Sequence, residues 1–230
     1  MSSPFNLSVI QWLTNYNQQI VSTNAVHIFK VHCSVYANVA DSLTVVLSAT
    51  EIEKMNRFLR TDDAKRYALG KYFTRKILGK KLNIEPKDIN FLLAENKKPY
   101  INDISFNISH SGDYVILAIS KKAIGIDVEV IKNHFDYDPL AEVCFTQNER
   151  KLITNLENFY TFWTRKEAIL KATGEGLIDN LLDIECIADK ITRHKKTYVV
   201  SSHLIDQKHL LSLAYEDSLQ KICFWNVTIV

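Results

Sequence analysis

The 230-residue sequence predicts a mixed α+β fold. Three observations predict it. Short β-branched and aromatic runs alternate with segments of helical apolar spacing. The order strand, helices, strands occurs twice. Gly125-Ile126-Asp127-Val128-Glu129 reads as a strand that sends two carboxylates to one face, with Ile126, Val128 and Val130 turned the other way into a core.

Each element has a local reason. Residues 25–35 hold Val26, Ile28, Phe29, Val31 and Val35 and predict a strand; residues 50–58 predict a short helix. The longest helical pattern covers 62–82, with Tyr67, Leu69, Tyr72, Phe73, Ile77 and Leu78 near 3.6-residue spacing and Thr61 or Asp62 able to cap it. Residues 90–93 read as a strand after Pro86, and 96–99 as a turn. Residues 106–108 and 114–120 predict a hairpin around the loop Ser109-His110-Ser111-Gly112-Asp113. Residues 146–156 are helical behind the capping box Thr146-Gln147-Asn148-Glu149. The next helix covers 158–172 and ends at Thr173-Gly174-Glu175-Gly176. Strands follow at 197–202, 210–215 and 222–229, the last two as a hairpin.

The two halves rhyme. Tyr72-Phe73-Thr74-Arg75-Lys76 lies in the main helix of the first half and Phe162-Trp163-Thr164-Arg165-Lys166 in that of the second. A duplicated unit and a chance echo both account for this. Duplication places a ligand site in the cleft between the halves.

Composition narrows the function classes. With 47% hydrophobic and 23% charged residues the chain is an ordinary globular protein. A net charge of +2 and the lack of a long basic run argue against a nucleic-acid binder. Cys33, Cys144, Cys186 and Cys223 are too scattered for a zinc site and suit buried thiols in a reducing compartment. The expectation is a cytoplasmic protein with no membrane span and no signal peptide. A Walker loop and a dinucleotide-binding glycine motif are both missing.

The chemistry gathers around three acids. Asp127 and Glu129 sit on one strand face, their Cα atoms roughly 6.5–7 Å apart. Glu167 and Lys171 share a helix face at i,i+4. Three carboxylates without a histidine or cysteine suit Mg²⁺ or Mn²⁺ better than zinc. A solvated strand face and a surface helix pair are the plainer readings of the same residues. The Ser109-His110-Ser111-Gly112 loop can bind phosphate, offer His110 as a base, or simply carry a surface histidine.

These pieces occur in the order Asp63-Ala64-Lys65-Arg66, Lys98-Pro99, Phe106 to Gly112, Gly125 to Glu129, Phe145-Thr146 with Glu149, and Trp163-Thr164-Arg165-Lys166-Glu167 with Lys171. In this the sequence resembles the Sfp-type 4′-phosphopantetheinyl transferases, strongly over residues 50–180. The resemblance implies two similar α/β subdomains, 1–122 and 123–230, in pseudo-twofold relation around a cleft. It implies that Asp127, Glu129 and Glu167 hold Mg²⁺ against the pyrophosphate of coenzyme A, with Lys166 and Lys171 near the phosphates. Glu167, Lys171 and Lys166 are then the candidate catalytic groups. Ser109 and His110 would contact phosphates, Lys98 and Pro99 the adenine, and Arg66 with Lys54 or Arg57 the 3′-phosphate. A basic residue frequent in the family falls here near Glu51. The implied partner is an apo acyl or peptidyl carrier protein, received on surface around residues 145–151 or Arg165 by a monomeric enzyme. A non-catalytic coenzyme A or nucleotide module and a Mg²⁺-dependent phosphodiesterase are the alternatives.

Overall fold

The computed structural model describes residues 4–14, 25–94, 98–101, 104–176, 181–218 and 221–228. The strands are β1 (Ser8–Val9), β2 (Ala25–His32), β3 (Leu92–Leu93), β4 (Pro99–Tyr100), β5 (Ser105–Ser111), β6 (Tyr114–Ser120), β7 (Ile124–Val130), β8 (Lys190–Arg193), β9 (Lys196–Leu204), β10 (His209–Glu216) and β11 (Lys221–Asn226). The helices are α1 (Tyr36–Val39), α2 (Leu43–Val46), α3 (Ala49–Asn56), α4 (Thr61–Leu82), α5 (Asp138–Cys144), α6 (Gln147–Leu152) and α7 (Leu156–Thr173).

Two sheets organise the chain. One has the order β11-β2-β6-β5; the other runs β1-β9-β10-β7, with β8 also against β9. Side-chain alternation gives each sheet two apolar faces. On β2 and β6, Phe29, Val31, Val115 and Leu117 pack under Leu69, Phe73, Ile77 and Leu78 of α4. Val26, Ile28, Ile116 and Ala118, one residue out of phase, meet Ile126, Val128, Leu211 and Leu213 of the second sheet. The other face of that sheet packs under α7 through Val200, Ala214, Phe162, Ile169 and Leu170. The layers are therefore helix, sheet, sheet, helix. Among the described residues no helix is long and apolar enough to cross a membrane.

The fold is α+β with two subdomains, and the sequence rhyme has a structural counterpart. Thr74 donates to the Gly70 carbonyl and Thr164 to that of Tyr160. Arg75 and Arg165 are both buried and both donate to backbone carbonyls of the loops they pack against. Each long helix also binds a buried capping-box glutamate of a short one: Arg75 meets Glu51 at 2.7 Å and Lys166 meets Glu149 at 2.8 Å.

Several expectations change. The helix at 61–82 is capped by Arg60 without a side-chain bond, so Thr61 and Asp62 lie inside its first turn. The first strand stops at His32, whose ring accepts the Ser34 N–H and starts a 3₁₀ turn over Cys33–Val35. Ser109, His110 and Ser111 belong to strand β5, not to a loop, because the backbone ladder with β6 runs on to Ser111–Tyr114 and leaves only Gly112 and Asp113 in the turn. The last two strands are not a hairpin. Strand β10 pairs with β9 and β7, whereas β11 crosses to the first sheet and runs parallel to β2, where Ile222 and Phe224 pack against the inter-sheet core. Reciprocally, β1 joins the second sheet beside β9. The turn expected at 96–97 and the strand end at 229 lie outside the described residues.

One glycine sets the spacing of the second half. A Cβ on Gly125 would stand 2.0 Å from the Ala168 carbonyl oxygen and 2.3 Å from the Ala172 nitrogen. The backbone of β7 therefore touches that of α7. Gly125→Ala must push the helix off the strand, and a loss of about 3 kcal/mol in urea-unfolding stability is expected, at the upper end of overpacking costs; an unchanged midpoint would contradict this contact.

Candidate active site

The site is built where the two sheets meet edge to edge. Strand β7 ends one sheet and β5 ends the other. Their backbones do not pair. Instead the N–H groups of Ile126, Val128 and Val130 donate to Asn107 Oδ1, Ser109 Oγ and Ser111 Oγ at 2.9, 3.2 and 3.1 Å. Every second residue of β5 thus satisfies every second residue of β7. Each serine hydroxyl then spends its own proton on an acid: Ser109 donates to Asp127 Oδ1 at 2.9 Å and Ser111 to Glu129 Oε2 at 2.8 Å.

Helix α7 supplies the opposite wall. Trp163, Glu167 and Lys171 recur every four residues and so share one face. With Ile108, Ser109, His110, Asp127 and Glu129 they line a cavity of about 490 Å³. Lys171 Nζ lies 2.6 Å from Asp127 Oδ1 and 3.5 Å from Ser109 Oγ. Asp127 is only 4% exposed, and its Oδ2 is buried with no hydrogen-bond partner among the described residues.

The electrostatics follow from crowding acids in a dry place. Burial raises the pKa of Asp127, against the pull of Lys171 and Ser109. Burial and then the Asp127 charge raise that of Glu129. Glu167 is raised by burial, then by Asp127 and Glu129. The all-oxygen donor set and the unpartnered Oδ2 fit a hard divalent cation. Among the described residues no three such side chains stand in a ready-made metal geometry; here Asp127 is held by Lys171.

Comparison with known proteins assigns this architecture. The description "4′-phosphopantetheinyl transferase, N-terminal" matches residues 37–122, and "4′-phosphopantetheinyl transferase superfamily" matches residues 123–219. The chain is 30% identical to the 4′-phosphopantetheinyl transferase HetI of Nostoc over 72% of its own length and 76% of that protein. The chain belongs to the 4′-phosphopantetheinyl transferase superfamily. It is also 32% identical to the 4′-phosphopantetheinyl transferase Sfp of Bacillus subtilis, over 57% of this chain and 62% of Sfp. A mouse L-aminoadipate-semialdehyde dehydrogenase-phosphopantetheinyl transferase is 31% identical over 55% of the chain and 48% of that protein. The chain thus spans less than two thirds of several of the relatives it matches.

Against this superfamily background the expected site residues separate into two groups. Asp127, Glu129, Glu167, Lys171, Ser109 and His110 meet in the one cavity. Ser109 is there as a buried support whose hydroxyl is engaged on both sides. Lys166 is not in the site. It is 1% exposed, paired with the wholly buried Glu149, and donates to the Leu181 and Ile184 carbonyls, because its face of α7 points to the lobe core. Lys98 donates to the carbonyls of Ile124 and Lys171 and so clamps β7 to α7; burial lowers its pKa to about 8. With Pro99 it borders a neighbouring cavity of about 360 Å³ that also touches Lys121, Lys122 and Gly174.

The basic residues of the first half lie elsewhere. Arg66 donates to the Gly112 carbonyl at 2.9 Å and pairs with Asp63, which puts it at the hairpin turn. Lys54 lies over the Tyr67 ring and Arg57 pairs with Glu53; neither lines the acid cavity. Glu51 is the capping-box acid held by Arg75. Of the docking surface expected around 145–151, Phe145 is fully buried and Arg165 is 1% exposed, so neither is open to solvent; Arg150 and Lys151 are exposed. Sequence reasoning assigned no role to Asn107 or Trp163, and none as a support to Ser111. The signals were present: a period-two polar run opposite β7, and a tryptophan four residues before Glu167.

Lys166→Met leaves Glu149 buried without its cation. A stability loss of about 3 kcal/mol is expected in denaturant titration, as for other broken buried pairs. A Lys166 that instead served a ligand would leave the unfolding midpoint of the free protein in place.

Proposed function

We propose that the chain transfers the 4′-phosphopantetheine group of coenzyme A to a serine of an apo acyl or peptidyl carrier protein. The division at 122/123 then separates two lobes of one cytoplasmic, monomeric catalyst. The observation that carries this reading is the convergence of Asp127, Glu129, Glu167 and Lys171 on one cavity at the seam of the two sheets.

Asp127, Glu129 and Glu167 would hold a divalent cation, Mg²⁺ or Mn²⁺, which neutralises charge on a bound pyrophosphate. The chain's own groups do the rest. Lys171 brings a positive charge to phosphate oxygens where charge grows as the bond breaks. Glu167, held basic by burial and by its acidic neighbours, takes the proton of the attacking serine hydroxyl. The serine oxygen bonds to the β-phosphorus, the bridging P–O bond breaks, and 3′,5′-ADP leaves. Trp163 and Ile108 wall the cavity, and His110 at its exposed rim meets the phosphates.

The test incubates the protein with coenzyme A, Mg²⁺ and a panel of apo carrier proteins and weighs the carrier. A gain of one phosphopantetheine is expected. Coenzyme A breakdown without it would mark a phosphodiesterase, and binding alone a non-catalytic module. Asp127→Ala and Glu167→Ala should each lower transfer by at least ~10³-fold in folded protein, as removal of metal or base groups does.

A pH dependence follows from the same burial. Protons and Mg²⁺ compete for these oxygens, and all three pKa values lie above the ordinary carboxylate range. Mg²⁺ affinity should therefore weaken as pH falls, beginning above that range. In the cation-free protein a raised folded-state pKa means tighter proton binding by the fold. These acids thus add stability at low pH that is lost as pH rises through their folded pKa values. Calorimetric Mg²⁺ titration across pH checks the first statement and thermal melts in chelator check the second; flat profiles would remove the desolvated acids from the account.

A further inference from the structure

A second acid–base pair, its imidazole buried and its carboxylate half-exposed, lies just behind the seam and has no part in the chemistry above. His209, at the start of β10, is 3% exposed. Its Nδ1 lies 3.0 and 3.1 Å from the two oxygens of Asp206. Asp206 is itself fixed, since its Oδ1 accepts the N–H groups of Lys208 and His209. The other ring nitrogen, Nε2, is buried without a hydrogen-bond partner among the described residues.

What that nitrogen faces is the tip of the β5–β6 hairpin. A Cβ on Gly112 would lie 2.5 Å from His209 Nε2 and 3.5 Å from Val130 Cβ, and Gly112 has φ +54, which favours glycine. Tyr114 meets the imidazole edge to face at 4.7 Å. From outside, Arg66 grips the Gly112 carbonyl. The tip is therefore held between Arg66 and the Asp206–His209 pair, and the residue before it is Ser111, which binds both the Val130 N–H and Glu129.

We propose that Asp206 and His209 are positioning residues for the acid site: by seating Gly112 they hold Ser111 against Val130 and so aim Glu129 into the cavity. The imidazole never reaches a substrate in this role. It acts as a shaped, oriented packing block, kept in one rotamer by Asp206. The inference rests on the proposed cation site only in naming what Glu129 serves.

The test reads the seam and the cation separately. In the full chain, amide exchange at Val130 should speed up about tenfold in His209→Ala, the equivalent of losing one net hydrogen bond, while Ile126, held by Asn107 at the far end, keeps its protection. Asp206→Asn leaves the β10 pairing with Val130 in place and should show the same effect, smaller. Mg²⁺ affinity should fall in His209→Ala, and adding His209→Ala to Ser111→Ala should cause no further fall, because His209 acts on Glu129 only through Ser111. Unchanged Val130 exchange in both folded variants, equal loss at Val130 and Ile126, or additive losses of Mg²⁺ affinity would each overturn the proposal. If the wild-type protein binds no Mg²⁺ but Val130 alone loosens, the cation reading fails and the positioning of Ser111 stands.

Discussion

The structure depends on how two sheet edges are joined. A strand edge presents unpaired N–H groups, and burying them without partners costs free energy comparable to a lost hydrogen bond each. Here β7 cannot pair with β5 through backbone, so Asn107, Ser109 and Ser111 satisfy its amides with side chains. That choice does more than close the edge. A hydroxyl can accept and donate at once. Each serine therefore takes an amide proton with its lone pair and gives its own proton to the carboxylate between two amides. The seam and the acid site are one set of atoms.

The acids gain their chemistry from the same burial that strains the fold. Asp127 is almost wholly enclosed, close to two other carboxylates, and steadied by one lysine. Such a cluster is costly in the free protein and useful only when something positive arrives. Helix α7 absorbs that cost elsewhere. Its inner faces carry Arg165 and Lys166 into fully hydrogen-bonded buried positions, and its contact at Gly125 fixes the distance from which Glu167 and Lys171 reach the strand. One helix thus bears both the anchor and the reactive stripe, on different faces.

Local pattern made much of this legible. Strand alternation placed Ile126 and Val128 in the core and both acids opposite, and four-residue spacing put Glu167 with Lys171. The capping box at Thr146 formed as its spacing requires. What failed was whatever depends on non-local partners. Lys166 beside Glu167 looks reactive on a helical wheel, but only the fold shows Glu149 waiting behind it. Lys98, which the family likeness puts beside the adenine, is claimed by two carbonyls. Ser109 and Ser111 look like a turn because Ser and Gly favour turns, whereas their role as edge caps needs β7 in view. The crossing of β11 to β2 left no mark in the composition of either strand.

That crossing has a consequence for how the molecule comes into being. The first sheet lacks its outer strand until residues 221–226 have been made, and the second incorporates residues 8–9 from the opposite end. Neither sheet therefore draws all its strands from one half of the chain. The acids sit between two sheets whose margins are traded, so the cleft they line is a product of both halves together.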